Sequence, residues 1–277
     1  MFVTRFAPSP TGPLHLGHAY SAMLAHDMAQ AAGGTFHLRI DDLDQTRARR
    51  EYEVQIYQDL AWLGLDWPRP TMHQSARLPR YRAALGTLWD TGLLYPCTCT
   101  RRDIRVAATA PQEGAPLHGP DGVIYPGTCR PATPPTGPMP RDTALRLDMA
   151  RACATLGNPL IYHEKDDRIL PVNLFETVGD VVLARRDMGA SYHLAVVLDD
   201  ADQKITHVIR GEDLQDATQI HVLLQRLLGV PTPAYHHHRL IRDEARRRLA
   251  KRDDARAITA YRADGATPQD IRAIVGL

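Results

Sequence analysis

Residues 6–18 read Phe-Ala-Pro-Ser-Pro-Thr-Gly-Pro-Leu-His-Leu-Gly-His and join a predicted strand to a predicted helix. The three prolines fix φ and remove backbone donors, which stiffens the turn between the two elements. His15, Gly17 and His18 follow at the helix start, where the helix dipole attracts phosphate and a glycine lets a ligand approach the backbone closely. The stretch therefore predicts a nucleotide site. For an isolated pair of histidines, the alternative is that one caps the helix and the other lies in water.

The composition narrows the class of protein. A chain of 277 residues is long enough for a catalytic domain with a sizeable core and a modest insertion. No stretch approaches the ~20 apolar residues of a membrane span, and the N-terminus has no basic segment followed by an apolar run. We therefore expect a cytoplasmic protein that is not attached to a membrane. We also expect a monomer.

The basic residues are unevenly distributed. The net charge of +1 does not by itself indicate a nucleic-acid partner. The segment 239–262, however, contains nine basic and four acidic residues, a local balance of +5. A solvated helix face would explain such a run, but a local basic excess is also suited to neutralising phosphates.

The spacing of apolar residues predicts alternating strands and helices. Strands are predicted over residues 2–6, 35–40, 144–149, 180–184, 193–198 and 205–209, and helices over residues 17–31, 49–63, 77–91 and 217–228. A helical tail is predicted over residues 261–277, with Thr267 as N-cap and Pro268 as first helical residue. Because strand, helix and strand follow one another, we expect an α/β fold with a parallel sheet that resumes after an insertion.

The insertion is marked by its composition. Residues 111–140 contain nine of the 21 prolines and five glycines, too many for a regular element, so the segment needs another source of order. Cys97, Cys99 and Cys129 lie beside or within it, and three thiolates with one harder ligand make a closed tetrahedral zinc site. Free buried thiols are the alternative. On chemistry alone His118 is the fourth ligand, because imidazole binds zinc without losing a proton whereas a phenol has a pKa of about 10.

Three charged residues are placed where predicted strands end. Arg5 closes the first strand, Asp41 follows the second, and Arg210 follows the strand over residues 205–209. Open parallel sheets bind ligands at the carboxyl ends of their strands, which makes these residues candidates for binding. Taken singly, each is better explained as a surface salt bridge or a cap.

Two other features carry less information. The run at residues 236–238 is three consecutive histidines, whose side chains point in different directions, so we do not expect it to bind a metal. Cys153 stands apart from the other cysteines and is predicted to be an ordinary small apolar residue.

These motifs together resemble a known family. The turn is similar to the HIGH signature of class I aminoacyl-tRNA synthetases, and residues 5–12 (Arg-Phe-Ala-Pro-Ser-Pro-Thr-Gly) resemble the glutamyl and glutaminyl branch. Residues 248–252 (Arg-Leu-Ala-Lys-Arg) resemble the KMSKS loop, with Ala250 and Arg252 in place of its serines. Lys251 is one of only three lysines in the chain, and a lysine within an arginine run suits a compact charge for phosphate.

The resemblance covers most of the chain and implies its organisation. It implies a Rossmann-like catalytic domain with a zinc-containing insertion and a short helical C-terminal tail. The corresponding segments are residues 1–92 for the first half of the catalytic domain, 93–143 for the insertion with an upper limit near 178, 179–238 for the second half, and 239–277 for the lysine loop and tail.

The resemblance also implies the site residues. For L-glutamate they are Arg5, Phe6, Ala7, Pro8, Ser9, Asp41, Tyr192 and Arg210. For ATP they are His15, Gly17, His18 and Lys251, of which the two histidines and the lysine are the catalytic residues. For one structural zinc ion they are Cys97, Cys99, Tyr125 and Cys129, so the resemblance favours Tyr125 over His118 as fourth ligand.

Several nearby positions have subsidiary roles in this scheme. The family has Arg-Ile-Glu-Asp where this chain has Arg-Ile-Asp-Asp, so the contact of Asp41 with the α-ammonium of glutamate needs a water or a small backbone shift. Asp44, Thr46 and Arg47 are expected to be scaffold residues, and His238 is expected to help shape the ATP pocket.

The position of Lys251 suggests a particular branch. The chain stops 26 residues after it, whereas a full-length glutamyl-tRNA synthetase continues into helical domains that read the anticodon. The resemblance is closest to the truncated branch with a Cys-x-Cys, Tyr-x-x-x-Cys insertion. It implies activation of L-glutamate by ATP and Mg²⁺ without tRNA, followed by transfer to the queuosine base at the anticodon wobble position of tRNA(Asp). The alternatives are a minimal glutamyl-tRNA synthetase that charges an acceptor end, and a non-catalytic glutamate or nucleotide-binding module.

Overall fold

The computed structural model describes residues 1–108, 118–171, 173–242 and 256–277. The chain divides into two compact units. The first unit consists of Met1–Ala76, Gln203–Gln215 and Pro233–Leu277, and the second of Arg77–Asp202 and Asp216–Thr232.

The first unit is an α/β structure. Its strands are β1 (Val3–Phe6), β2 (Thr35–Ile40), β3 (Met72–His73), β11 (His207–Gly211) and β12 (Ala234–His238). Its helices are α1 (Leu16–Ala31), α2 (Arg50–Trp62), α9 (Ile258–Ala263) and α10 (Pro268–Val275), with a 3-10 turn over Glu212–Leu214. The first two predicted strands and helices therefore lie where their apolar spacing indicated.

Its strand pairs are parallel. β1 pairs with β2, β2 with β3, and β11 with β12, all in parallel register. β1 also lies against β11, and the backbone N–H of Thr206 donates to the carbonyl of Val3 at 2.9 Å. The predicted parallel sheet is confirmed, and the carboxyl ends of β1, β2 and β11 lie at one edge.

Small residues on α1 make close packing possible. Ala19, Ala22, Ala25 and Ala29 are at most 1% exposed and belong to the same core as the apolar residues of β1 and β2. Alanine loses no side-chain rotamer freedom on burial, so this face orders at little entropic cost. The N-terminus of α1 is thereby fixed beside the end of β1.

The second unit mixes helices with short antiparallel strands. Its helices are α3 (Leu78–Asp90), α4 (Arg101–Ala108), α5 (Met149–Ala154), α6 (Leu174–Thr177), α7 (Tyr192–Asp202) and α8 (Thr218–Leu227). Its strands are β4 (Leu94–Cys97), β5 (His118–Gly119), β6 (Gly122–Val123), β7 (Ala144–Leu147), β8 (Tyr162–Glu164), β9 (Asp167–Ile169) and β10 (Val182–Ala184).

The expectation that the parallel sheet resumes directly after the insertion is wrong for two segments. Those predicted over residues 144–149 and 180–184 are β7 and β10, and β7 pairs antiparallel with both β4 and β10. The first of them also ends two residues early, because Asp148 caps α5 by accepting the backbone N–H of Arg151 at 3.1 Å. β11 and β12 continue the parallel arrangement.

The strand predicted over residues 193–198 is also wrong. This segment lies within helix α7, where eight consecutive residues from His193 to Asp200 are buried. A short apolar run fits a buried strand and a buried helix equally well, because burial on all sides removes the periodicity that distinguishes them.

The C-terminal helix α10 has the predicted N-terminal cap. Thr267 caps α10 by accepting the backbone N–H of Asp270, and Pro268 is its first residue, so both predictions are confirmed.

Among the described residues, none of the helices combines the length and hydropathy needed to cross a bilayer.

Asp59 gives the fold a measurable pH dependence. It lies on α2 with no exposed surface, and neither carboxylate oxygen has a hydrogen-bond partner. Burial raises the pKa of this carboxyl to about 6, against the opposing effect of Arg262. Between its ordinary value and about 6 the folded protein binds more protons than the unfolded chain, so stability falls as the pH rises through this range.

We predict that Asp59→Asn stabilises the protein at pH 8 by up to about 3 kcal/mol and has little effect near pH 4. Urea unfolding at the two pH values measures this difference. Glu51→Gln, an exposed position on the same helix, is the control and should change stability little at either pH. An equal effect of Asp59→Asn at both pH values would contradict a raised pKa.

Candidate active site and metal centre

The N-terminus of α1 is built around two imidazole rings. Nδ1 of His15 accepts the backbone N–H of Gly17 at 3.1 Å, and Nδ1 of His18 accepts the backbone N–H of His15 at 3.2 Å. The ring centroids are 3.8 Å apart. This is a capping box made by histidines, so both rings cap the helix. Because each Nδ1 accepts a hydrogen bond, each neutral ring carries its proton on Nε2.

Gly17 gives the His15 ring room in this arrangement. A Cβ at this position would lie 3.1 Å from Cε1 and 3.2 Å from Nδ1 of His15. Any side chain would therefore press against the ring that caps the helix. The glycine serves the packing of His15 as well as the ligand access inferred from the sequence.

The proline-stiffened turn is tied to the end of β2. The backbone N–H of Asp41 donates to the carbonyl of Pro8 at 3.0 Å, and that of Arg49 donates to the carbonyl of Pro10 at 2.9 Å. Since proline has no N–H, the turn contributes carbonyl acceptors at these two points. The backbone of the turn consequently lies beside Asp41.

The three charged residues predicted at strand ends occupy that edge of the first unit. Arg5 is the penultimate residue of β1, Asp41 directly follows β2, and Arg210 is the penultimate residue of β11. Arg5 and Arg210 are 5% and 6% exposed, so neither is the surface salt bridge considered as an alternative.

Arg39 is the residue here that sequence reasoning did not select. Its guanidinium is completely buried, with Nε 2.8 Å from Oδ1 of Asp41 and Nη1 3.3 Å from Oε1 of Gln203. The side chain of Asp41 is 7% exposed. An arginine within the apolar strand Thr35–Ile40 is itself a signal, because a buried charge requires a partner. Asp41 therefore holds Arg39 in addition to any contact with a ligand.

Arg210 is held by neighbours from its own unit. Its Nε donates to Nε2 of His237 at 3.1 Å, and Nη2 donates to the carbonyl of Leu214 at 3.1 Å. The guanidinium also lies 5.3 Å from the ring of Tyr235. These contacts orient the fork of the guanidinium at the end of β11.

The consecutive histidines contact different elements. His237 lies beside Arg210, whereas His238 packs edge-on against Tyr20 of α1 with ring centroids 4.9 Å apart. Nδ1 of His238 lies 2.9 Å from the carbonyl of Arg239, and burial lowers the pKa of this imidazole. His238 is thus a neutral group packed against α1.

The Asp-x-Thr-Arg stretch forms a local network. The Thr46 hydroxyl donates to Asp44 at 2.6 Å, and Nε of Arg47 donates to the other carboxylate oxygen. These hydrogen bonds lower the pKa of Asp44. Such contacts are what scaffold residues make.

Tyr192 belongs to the second unit, where it is the first residue of α7 and 37% exposed. Its ring lies edge-on to His193 and His221, with centroids 5.6 and 5.7 Å away. Nδ1 of His193 and Nε2 of His221 are 3.0 Å apart, and Nε2 of His193 is 3.3 Å from Asp121. Sequence reasoning missed this buried histidine pair because neither residue belongs to a local motif.

The predicted lysine loop lies outside the described residues. This applies to Lys251 and to the other residues of the Arg-Leu-Ala-Lys-Arg stretch. Its role as a catalytic and ATP-binding residue therefore stays a prediction.

Three cysteines converge in the second unit. The Sγ atoms of Cys97, Cys99 and Cys129 all lie within 4.8 Å of one another. The hydroxyl of Tyr125 is 3.5 Å from Sγ of Cys97 and 3.4 Å from Sγ of Cys99, and it accepts the backbone N–H of Cys129 at 2.7 Å. His118 lies on the exposed face of the β5–β6 hairpin, paired in register with Val123. Of the two candidates for fourth ligand, Tyr125 is therefore the one whose side chain the structure places beside the thiols.

The chemistry of this donor set fits zinc. Burial alone would raise the pKa of the Cys129 thiol, but hydrogen bonds from Tyr125 and the Thr98 backbone outweigh it and lower that pKa to about 6. Thiolates are the ligands zinc prefers in closed structural sites. Cys97, Cys99, Tyr125 and Cys129 would hold the ion, and it would order a segment whose local core is small.

Comparison with known proteins identifies the family. The model of the class I tRNA synthetases (E and Q), catalytic domain, matches residues 1–119 and 150–277. The chain belongs to this family. It is therefore a ligase of the class I tRNA synthetases.

Individual relatives refine the comparison. The glutamyl-Q tRNA(Asp) synthetase of Rhodobacter capsulatus is 61% identical over 280 residues, covering 99% of this chain and all of the relative. The enzyme of the same name from Nocardia farcinica is 41% identical and covers 98% of this chain and 82% of its own length. Both matches span nearly the whole of this synthetase-family chain.

A solved structure shows the same fold. A glutamate tRNA ligase from Elizabethkingia meningosepticum, in complex with its amino acid, superposes with a TM-score of 0.69 at 28% identity. The match covers 91% of this chain and 52% of that one, so this chain spans about half the length of that ligase.

For this class I synthetase fold we predict that Asp41→Ala lowers the free energy of unfolding by about 3–5 kcal/mol, because it leaves the buried Arg39 charge uncompensated. Chemical denaturation measures the loss. Arg39→Met combined with Asp41→Ala removes both charges and should cost clearly less than the single change. If the double variant instead loses the sum of the two single effects, the pair does not carry the stability assigned to it.

For the metal centre we predict one zinc ion per chain, lost in Cys129→Ser. Tyr125→Phe should release zinc faster to a chromophoric chelator, because it removes the oxygen donor, while His118→Ala should retain zinc. Zinc content by atomic spectroscopy and release kinetics measure both effects. Loss of zinc from His118→Ala with retention in Tyr125→Phe would reverse the ligand assignment.

Proposed function

We propose that this protein uses ATP to activate L-glutamate without tRNA and transfers the glutamyl group to the queuosine base at the anticodon wobble position of tRNA(Asp). The observation that carries this proposal is the 61% identity, over essentially both full lengths, to a glutamyl-Q tRNA(Asp) synthetase. The family supports the coarser activity, ligation of glutamate to tRNA. Residues of the first unit support a site for glutamate and a site for the phosphates of ATP.

The first unit offers the charges that glutamate needs. The amino acid carries an α-ammonium, an α-carboxylate and a side-chain carboxylate. Arg5 and Arg210 are buried guanidiniums suited to carboxylates, which they bind as planar forks. Asp41 would accept from the ammonium in addition to its hydrogen bond from Nε of Arg39 at 2.8 Å. The backbone of residues 6–9, with the hydroxyl of Ser9, would add further contacts in this unit, while the glutamate-binding role of Tyr192 stays a prediction.

The start of α1 supports a phosphate site. Helix N-termini favour anions, and the tautomer imposed by the capping box leaves the proton of each imidazole on Nε2. His15 and His18 would donate through these atoms to phosphate oxygens, and Gly17 would keep the His15 ring in position. Lys251 would add a positive charge, and Mg²⁺ would accompany the ATP.

The reaction would then proceed in two steps. A carboxylate oxygen of glutamate attacks the α-phosphorus of ATP, the bond to the β-phosphate oxygen breaks, and pyrophosphate leaves. The protein contributes position and compensates spreading negative charge. A hydroxyl of the queuosine cyclopentenediol then attacks the activated carbonyl, loses its proton and displaces AMP. The nucleophile belongs to the RNA.

The test is transfer of radiolabelled glutamate to tRNA(Asp) with and without queuosine, with tRNA(Glu) as a third substrate. We expect label on queuosine-containing tRNA(Asp) and glutamate-dependent pyrophosphate exchange in the absence of any tRNA. Equal labelling of unmodified tRNA(Glu) would indicate a minimal synthetase that charges an acceptor end. Absence of exchange would indicate a binding module.

Lys251→Ala tests the proposed lysine loop. We expect it to reduce adenylate formation much more than glutamate binding, because the charge would act on the phosphates in the transition state. Single-turnover adenylate formation and calorimetric glutamate binding measure the two effects. Equal losses in both would refute the assigned role.

A further inference from the structure

The second unit contains a cavity of about 580 Å³ beside the metal centre. Cys97, Cys99 and Tyr125 form part of its lining, and Arg146 forms another part. Arg146 contacts two of the proposed metal ligands. Its guanidinium lies 3.8 Å from the Tyr125 ring, and its Nε donates to Sγ of Cys97 at 3.3 Å. The cavity is therefore bounded on one side by side chains that contact one another, those of Arg146, Tyr125 and Cys97.

Exposed arginines line the cavity from two different elements. We call them the arginine rim, which consists of Arg101, Arg105, Arg185 and Arg186. The first two are one turn apart on α4 and so share a face of that helix. The last two follow β10 directly.

The aspartates of the same lining are largely engaged elsewhere. Asp180 is completely buried, accepts from Nε of Arg130 at 2.7 Å and from the backbone N–H of Met149 at 2.9 Å, and also bonds Tyr95. Asp121 lies 3.3 Å from Nε2 of His193. Within the part of the chain that the structure describes, no residue of the arginine rim forms a salt bridge with a carboxylate. Asp187 also lines the cavity, and the charge of Arg185 helps to lower the pKa of Asp121, so the arginines give the cavity an excess of positive charge that is partly offset.

We propose that the arginine rim binds the phosphate backbone of the tRNA substrate. The rim arginines are exposed and belong to two elements, which suits a polyanion whose charges are spaced along a chain. A single small anion is better bound by buried donors that all point to one place. Arginine forks also match phosphate geometry. The inference rests on the proposed function for the identity of the RNA. It assigns RNA contacts to the second unit, apart from the basic segment 239–262 selected from the sequence.

Phosphate contacts have a measurable signature. Each one releases condensed counterions, so the logarithm of the affinity falls linearly with the logarithm of the salt concentration. Removing one such contact makes this slope shallower by about one. A residue that only maintained the fold would weaken binding without this change in slope.

The test compares Arg101→Gln/Arg105→Gln with Arg102→Gln/Arg168→Gln, which removes the same charge from exposed positions that do not line the cavity. The affinity for queuosine-containing tRNA(Asp) is measured by fluorescence anisotropy at several salt concentrations. Glutamate-dependent pyrophosphate exchange without tRNA, and zinc content, are measured on the same preparations. We expect the cavity variant to bind tRNA at least about tenfold more weakly with a salt slope shallower by about two, while exchange and zinc content stay unchanged.

Three results would overturn the proposal. They are an equal loss in the control variant, an unchanged salt slope in the cavity variant, and a loss of pyrophosphate exchange as large as the loss of tRNA binding, which would assign the arginines to ATP. Absence of exchange in the unmodified protein would instead refute the proposed function. The anisotropy comparison would still test the arginine rim in that case.

Discussion

The ion pair between Arg39 and Asp41 is the constraint on which the candidate site depends. A guanidinium with no exposed surface requires a charged partner, because an uncompensated buried charge costs several kcal/mol. The Asp41 carboxylate is therefore directed toward Arg39. Its backbone N–H is bonded to Pro8, so the same residue fixes the turn that leads to α1. One buried pair thus links the end of β2 to the start of the proposed nucleotide site.

The capping of the N-terminus of α1 is a second constraint on the candidate site. Two imidazoles take the places that a hydroxyl and a carboxylate occupy in most capping boxes. This choice satisfies backbone donors without adding negative charge where a triphosphate is proposed to bind. Gly17 favours this arrangement, since a Cβ there would lie 3.1 Å from Cε1 and 3.2 Å from Nδ1 of His15.

The segment around the cysteines has little apolar core of its own. The first unit buries a broad core between α1 and its sheet, and the second also buries Leu94, Leu145 and Leu183, but the local cluster of Tyr95, Cys97 and Tyr125 is small. A metal ion held by three thiolates and a phenol would supply the cross-links that so few apolar residues cannot. The proline-rich composition of the insertion already indicated such a need. The four converging donor groups show where it would be met.

The sequence was most informative where function depends on short, contiguous motifs. The proline-stiffened turn, the histidines at the helix start, the cysteine pair and the charged residues after strands could all be read locally. The same holds for the strand Thr35–Ile40 and for the cap at Thr267, which agree with the structure residue for residue. Local patterns suffice there because turn geometry and capping involve only neighbouring residues.

Contacts between residues distant in the chain required the fold. The bond between Arg210 and His237, and the histidine pair beside Tyr192, join residues 27 and 28 positions apart. Helix α7 was mistaken for a strand because its burial on every side removes periodicity. The resemblance of the motifs to a known family predicted the family, which the comparisons confirm, and implied most of the proposed site residues. Tertiary packing decided two further points: that Asp41 pairs with Arg39, and that a tyrosine rather than a histidine lies beside the thiols. Packing decides such pairs because it determines which polar groups are buried next to one another.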